Sequence, residues 1–303
     1  MNAVLTVLVD PILPVFAVMF LGFFLGWRER VSLEDARVLN SFAMQFLMPV
    51  FLFGLLVGTP VLSFSARPLL VYAGTETLLF LVGFGLARKL FGRPVDEAIL
   101  LGFAGIFANN AFYVLPISVL LYGPENVLPV TAIVALDAFF AFGCSMIALQ
   151  IIRLHKITPA AVVSSIVRIP IVQGLVLGVL VSALGIALPA PADTFVSFTG
   201  AAAAPVALFA LGVTLSQTRF RVEGVVVTFT LMKLLAFPLA IWTGLQIFAG
   251  DDPTRDLYVL AAAGPTGAMS FSLALLYGVR IDAIAQIIVW TSLLTLGTLA
   301  FLA

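Results

Sequence analysis

Two short segments of the chain combine residues that free backbone hydrogen-bonding groups with residues that can grip a polar solute. One runs Gly105-Ile106-Phe107-Ala108-Asn109-Asn110-Ala111-Phe112-Tyr113-Val114-Leu115-Pro116, the other Ala263-Gly264-Pro265-Thr266-Gly267-Ala268-Met269-Ser270. Proline removes a donor and clashes with the preceding turn, and glycine makes non-helical backbone cheap. A helix broken at such points offers free N–H groups and a positive dipole end, which suits an anion. Asn109, Asn110, Thr266 and Ser270 supply side-chain hydrogen bonds, while Tyr113, Pro116, Gly264 and Pro265 shape the same place. Gln45 is a further ligand candidate. The plainer alternative is a pair of proline kinks relieved by neighbouring helices.

Three ionisable residues stand within apolar sequence, where a charge is costly and therefore a functional candidate. Lys233 either balances carboxylates internally or supplies positive charge near a bound anion, unless it only snorkels. Asp137 and Glu76 are candidates for ion coupling. For Asp137 the alternative is a structural pair with Lys233 or a hydrogen bond to the broken segment, and for Glu76 a solvated carboxylate near the outer face. Asn40 reads as interfacial. The lone cysteine, Cys144, reads as a buried packing residue, and with the lone histidine, His155, it cannot assemble a metal cluster. No G-x-x-x-x-G-K-[ST] motif occurs, so a nucleotide-driven pump is not expected, and neither is any cofactor beyond a coupled H⁺ or Na⁺.

These residues need elements to hold them, and the composition says which. Of 303 residues, 62% are hydrophobic and only 10% charged, against about a quarter charged in soluble domains. Mean hydropathy is +1.19. A soluble enzyme or DNA-binding module is excluded on that surface balance, and 15 basic residues cancelling 15 acidic ones leave no field to attract nucleic acid. The lipid bilayer is the expected surrounding. A membrane-crossing helix needs about 20 apolar residues. Ten stretches qualify: 4–27, 37–58, 68–90, 98–122, 127–152, 164–187, 194–216, 224–249, 255–277 and 281–302. Arg168 is expected to mark the cytoplasmic edge of the sixth stretch, with 160–167 lying along that surface. Odd-numbered loops carry eleven Lys and Arg and even-numbered loops two, Arg67 and Arg255. That bias puts the odd loops in the cytoplasm and both termini outside, in the plasma (inner) membrane.

The chain also matches itself at a shift of 156. Pro14 falls on Pro170, Gly22 on Gly178, and Pro49-Val50, Leu52-Phe53 and Leu55 on Pro205-Val206, Leu208-Phe209 and Leu211. The expectation is an all-α membrane protein of ten transmembrane helices in two inverted five-helix repeats, 1–156 and 157–303, with broken helices four and nine crossing. An odd number of spans per half forces the second half in upside down, as in secondary transporters.

The sequence resembles the auxin efflux carrier family, which includes plant auxin exporters and bacterial malonate-type carriers. The matching segments are Leu13-Pro14 with Leu21-Gly22, Leu47-Met48-Pro49-Val50-Phe51, Asn109 to Pro116, Ala204-Pro205-Val206-Ala207-Leu208 with Leu211-Gly212, Lys233-Leu234-Leu235 with Pro238, and Pro265-Thr266 with Tyr277-Gly278. Their order covers nearly the whole chain. The resemblance implies two inverted five-helix repeats divided into scaffold and transport domains, with spans four and nine crossing. The family often carries glycine where Ala111 and Val114 stand and asparagine where Ile169 stands. The expected function is secondary-active transport of small organic anions, carboxylates or dicarboxylates. The competing expectation is a Na⁺- or H⁺-coupled cation antiporter or symporter on a related crossover fold. An intramembrane enzyme is not expected. Lipid-facing surfaces carry no readable oligomer signal, so a homodimer is admitted.

Overall fold

A computed structural model of the chain describes residues 2–57, 65–123, 128–154, 158–217 and 223–302. His155, Lys156, Arg219 and Arg221 lie outside them. The described residues form helices joined by short connections. They are α1 (Asn2–Trp27), α2 (Leu33–Val57), α3 (Ala66–Lys89), α4 (Val95–Ile106), α5 (Leu115–Tyr122), α6 (Leu128–Ile152) and α7 (Pro159–Val167). There follow α8 (Pro170–Ala183), α9 (Ala190–Gln217), α10 (Gly224–Phe248), α11 (Arg255–Ala263), α12 (Met269–Leu276) and α13 (Asp282–Leu302). Five of them, α2, α3, α6, α9 and α10, are long and apolar enough to cross a membrane. The stretches 98–122 and 255–277 are each divided, into α4 and α5 and into α11 and α12.

Local sequence explains the helix ends. Ser32 accepts the Asp35 N–H at 3.1 Å while the Asp35 carboxylate accepts the Ser32 N–H at 2.9 Å, closing both ends of a capping box on α2. Pro159 and Pro170 occupy the first turns of α7 and α8, where a missing N–H costs nothing. The short α7 is largely exposed and ends at Arg168 before the chain turns into α8. Four wider, π-helical turns interrupt the regular helices: Ala43–Leu47 in α2, Asn110–Val114 leading into α5, Ala138–Phe142 in α6 and Met232–Ala236 in α10. Each wide turn rotates the side chains after it relative to a regular helix.

Two helix pairs pack backbone to backbone, α1 on α9 and α2 on α8. Small residues permit this approach, as they do in membrane helices generally. A Cβ at Gly22 would collide with the Phe209 carbonyl, and one at Gly178 would lie 3.0 Å from the Phe53 carbonyl. Gly22 and Gly178 are 156 residues apart, and so are Phe53 and Phe209. The same contact is therefore made twice, with the partners exchanged between the halves. Connections far apart in sequence also meet: Arg67 pairs with Asp251 at 2.8 Å, Arg93 with Glu223 at 3.2 Å, and Arg153 donates to the Tyr277 carbonyl.

Cys144 is exposed on α6, not a buried packing residue. Asn40 is buried, not interfacial, and donates to the Ser272 carbonyl of α12 at 3.0 Å. Glu76 is buried as well, one turn beyond Tyr72 on the inner face of α3. A helix long enough to span the bilayer presents its mid-depth residues to protein as well as to lipid, which a linear reading of hydropathy does not separate.

A Cβ at Gly212 would collide with the Met19 carbonyl, whereas one at Gly74 meets nothing within 4 Å. Gly212→Leu is expected to destabilise the protein by roughly 1–3 kcal/mol, seen as a lower unfolding temperature in detergent, while Gly74→Ala leaves it within the scatter of wild type.

Candidate functional site

Helix α4 stops at Ile106 and α11 at Ala263, and the chain after each runs extended before the next helix starts. The two extended pieces lie antiparallel, with Ala108 opposite Thr266. The Asn109 N–H donates to the Pro265 carbonyl at 2.8 Å, and the Gly267 N–H to the Phe107 carbonyl at 3.0 Å. Non-helical backbone at membrane depth must be satisfied by protein or by a wet cavity. Here the two breaks satisfy each other. Gly264 makes the approach possible, because a Cβ there would sit 2.5 Å from Val114 Cγ2.

A broken helix also leaves carbonyls open at its C-terminal end, and side chains close both. The Thr266 hydroxyl donates to the Ala104 carbonyl at 2.9 Å, and the Lys233 ammonium donates to the Ala262 carbonyl at 2.7 Å. Lys233 is wholly buried, with Nζ 4.8 Å from the centre of the Phe237 ring. Thr266 is fixed further by its N–H, which donates to Thr291 Oγ1 of α13 at 3.1 Å. Ser270 turns inward and donates to the Gly267 carbonyl at 3.0 Å.

The N-terminal ends of the two restarting helices stay open and border one cavity. Phe107 to Ala111 line it from one break and Gly267 to Met269 from the other. Met48, Phe51 and Leu52 of α2 face Ala204, Ala207 and Leu208 of α9 across it, and Val134, Asp137 and Ala138 of α6 complete the wall. Its free volume is about 40 Å³, room for roughly three waters. Among the described residues no lysine or arginine lines it. Positive potential comes from the two helix ends, each worth about half an elementary charge. Asn110 Nδ2 donates to Asp137 Oδ2 at 2.9 Å, while the Asn109 side chain makes no hydrogen bond to the described protein.

The structure thus brings Asn109, Asn110 and Asp137 to the cavity. Gly264, Pro265 and Thr266 build the crossing behind it, and Ser270, Lys233 and Glu76 stand further back. Two candidates are not brought there. Gln45 is exposed on α2, with Nε2 donating to Ser41 Oγ at 2.7 Å. Tyr113 is buried in a separate apolar cluster with Val130, Leu257 and Leu260. Both sit in π-helical turns, so residues three apart no longer share a face as they would in an α-helix. Pro116 falls within α5, and its side chain lies outside the described residues. The apolar walls were missed, although Met48, Phe51 and Leu52 stand 156 residues before Ala204, Ala207 and Leu208. The internal match pointed to them.

The sequence profile described as "Membrane transport protein" matches the chain twice, over residues 7–150 and 150–303. The chain belongs to the auxin efflux carrier family. Among its relatives in this family is a Rhizobium meliloti (strain 1021) protein named "Putative malonate transporter", 28% identical over 95% of this chain and 92% of its own length. Another, the Escherichia coli (strain K12) protein named "Uncharacterized transporter YfdV", is 26% identical over 78% of each chain. The chain is a multi-pass membrane protein of a transport family.

Thr266→Val removes the hydroxyl that closes the Ala104 carbonyl and keeps the shape. It is expected to lower stability by about 1–3 kcal/mol, the cost of one buried carbonyl left unpaired, measured by thermal unfolding in detergent.

Proposed function

We propose that the protein is a secondary-active carrier of small organic anions, carboxylates or dicarboxylates of malonate size. The observation that carries this reading is the cavity bordered by two helix N-termini and the Asn109 amide. Peptide N–H groups and dipole ends favour a negative group without any buried basic side chain. The apolar walls suit the short carbon backbone of such an acid. The relative named for malonate transport favours the same class of solute.

In this reading the ten stretches are ten spans in two oppositely inserted halves, with the divided fourth and ninth crossing at mid-depth. Three features support it: the exchanged contacts of Gly22 with Phe209 and Gly178 with Phe53, the cavity walls drawn from equivalent positions of α2 and α9, and the double family match. The α1–α9 and α2–α8 pairs act as scaffold, and the crossing with α3, α6 and α10 rocks against it to expose the cavity to each side in turn. The odd-numbered loops face the cytoplasm and the protein works in the plasma membrane. A thermal-shift screen of small carboxylates across pH and Na⁺ identifies the preferred ligand, since a bound anion raises the unfolding temperature.

Purified protein in liposomes is expected to take up labelled malonate. Asn109→Ala is expected to cut uptake by about tenfold or more, the worth of one hydrogen bond to a charged group, while Gln45→Ala stays near wild type. The backbone bond from residue 109 to Pro265 survives that substitution, so the variant stays folded. A wild-type rate in folded Asn109→Ala would remove the crossing from the binding site.

A further inference from the structure

Asp137 poses a difficulty for an anion site, because it places a carboxyl in the wall where a carboxylate must sit. Its surroundings resolve the difficulty. Asp137 is 2% exposed; Oδ2 accepts from Asn110, and no donor reaches Oδ1. Behind it on α3, Glu76 is 1% exposed, and no donor reaches either of its oxygens. Helix α3 packs on α6, and the two carboxyl groups interact electrostatically. Two ionised carboxylates offer only lone pairs, and buried carboxylate oxygens without a donor are costly, so the pair favours holding one proton.

The other groups facing the pair do not supply that proton. Tyr72 of α3 and Asn110 stand beside it, and the exposed Cys144 of α6 feels the Glu76 charge only at a distance. Lys233 of α10 faces both acids, but its ammonium is engaged with the Ala262 carbonyl. The charge count follows. Two ionised acids and one ammonium leave a net −1 behind the cavity, whereas one shared proton makes the trio neutral. A Na⁺ ion is a poor substitute, since the same ammonium repels it.

We infer that Glu76 and Asp137 together hold one transported proton, which loads with the anion and leaves with it. This rests on the anion-carrier reading above and makes the carrier a proton–anion symporter. Asp137 takes the proton from water in the cavity on one side and shares it with Glu76. The neutral trio admits the anion, and both are released to the opposite side. By linkage the proton tightens anion binding and the anion tightens proton binding by the same factor.

The test uses the full-length protein in liposomes with labelled malonate, voltage clamped at zero by potassium and valinomycin, and a pH dye inside. In wild type, an outside-acid gradient of about one pH unit is expected to concentrate malonate inside towards about tenfold, the limit for one proton per anion. The dye should report acidification that accompanies uptake. Glu76→Gln leaves one acid against one ammonium, neutral without a shared proton. That variant is expected to keep exchange of labelled for unlabelled malonate and to lose accumulation driven by the pH gradient. Wild-type exchange without pH-driven accumulation, accumulation driven by Na⁺ instead, or full pH drive in Glu76→Gln would each overturn the proton assignment and leave the carrier reading standing. No exchange of any two- to five-carbon carboxylate would overturn both. If Glu76→Gln does not fold, the wild-type gradient experiment decides alone.

Discussion

Four backbone groups at the two helix breaks hold this structure together. When α4 and α11 stop short, their extended continuations carry N–H and C=O groups that lipid cannot satisfy, each worth several kcal/mol if left bare. The bonds from Asn109 to Pro265 and from Gly267 to Phe107 satisfy them reciprocally. Neither break is tenable without the other. The two restarting helix ends border one cavity. The side chains that look most functional on paper, Thr266 and Lys233, serve the carbonyl ends instead.

This division of labour separates grip from charge balance. Lys233 does not touch the cavity, yet its ammonium compensates the half-helix end of α11 and faces Glu76 and Asp137. The cavity itself contains peptide dipoles, amides and one acid. Among the described residues its lining has no full positive charge, which under the anion-carrier proposal would let a load leave as readily as it enters.

Much of this was legible because glycine and proline advertise broken backbone. Gly264-Pro265 and the asparagine pair at 109 and 110 marked both breaks, and the 156-residue match placed them opposite each other. Helix bounds followed most of the apolar stretches closely, since hydropathy and length dominate membrane insertion, but 164–187 is split between α7 and the shorter α8 (Pro170–Ala183). What was not legible depends on geometry that leaves no residue signature. The π-helical turns carry Gln45 and Tyr113 off the faces a regular helix predicts, and nothing in Ala43–Leu47 or Asn110–Val114 announces them. The partner of Lys233 is a main-chain carbonyl from another helix, invisible in any side-chain pattern. The pairing of Glu76 with Asp137 joins α3 to α6, and each residue alone reads only as an isolated acid.

The facing walls of the cavity come from equivalent positions but are unequal in bulk. One half contributes Met48, Phe51 and Leu52, and the other Ala204, Ala207 and Leu208. The wall is therefore bulkier on the α2 side than on the α9 side, and the peptide groups of the two breaks belong to neither. Under the anion-carrier proposal, alanine exchanged for valine at 204 or 207, or a trimmed Met48, would change the length of acid admitted while leaving those main-chain groups as they are.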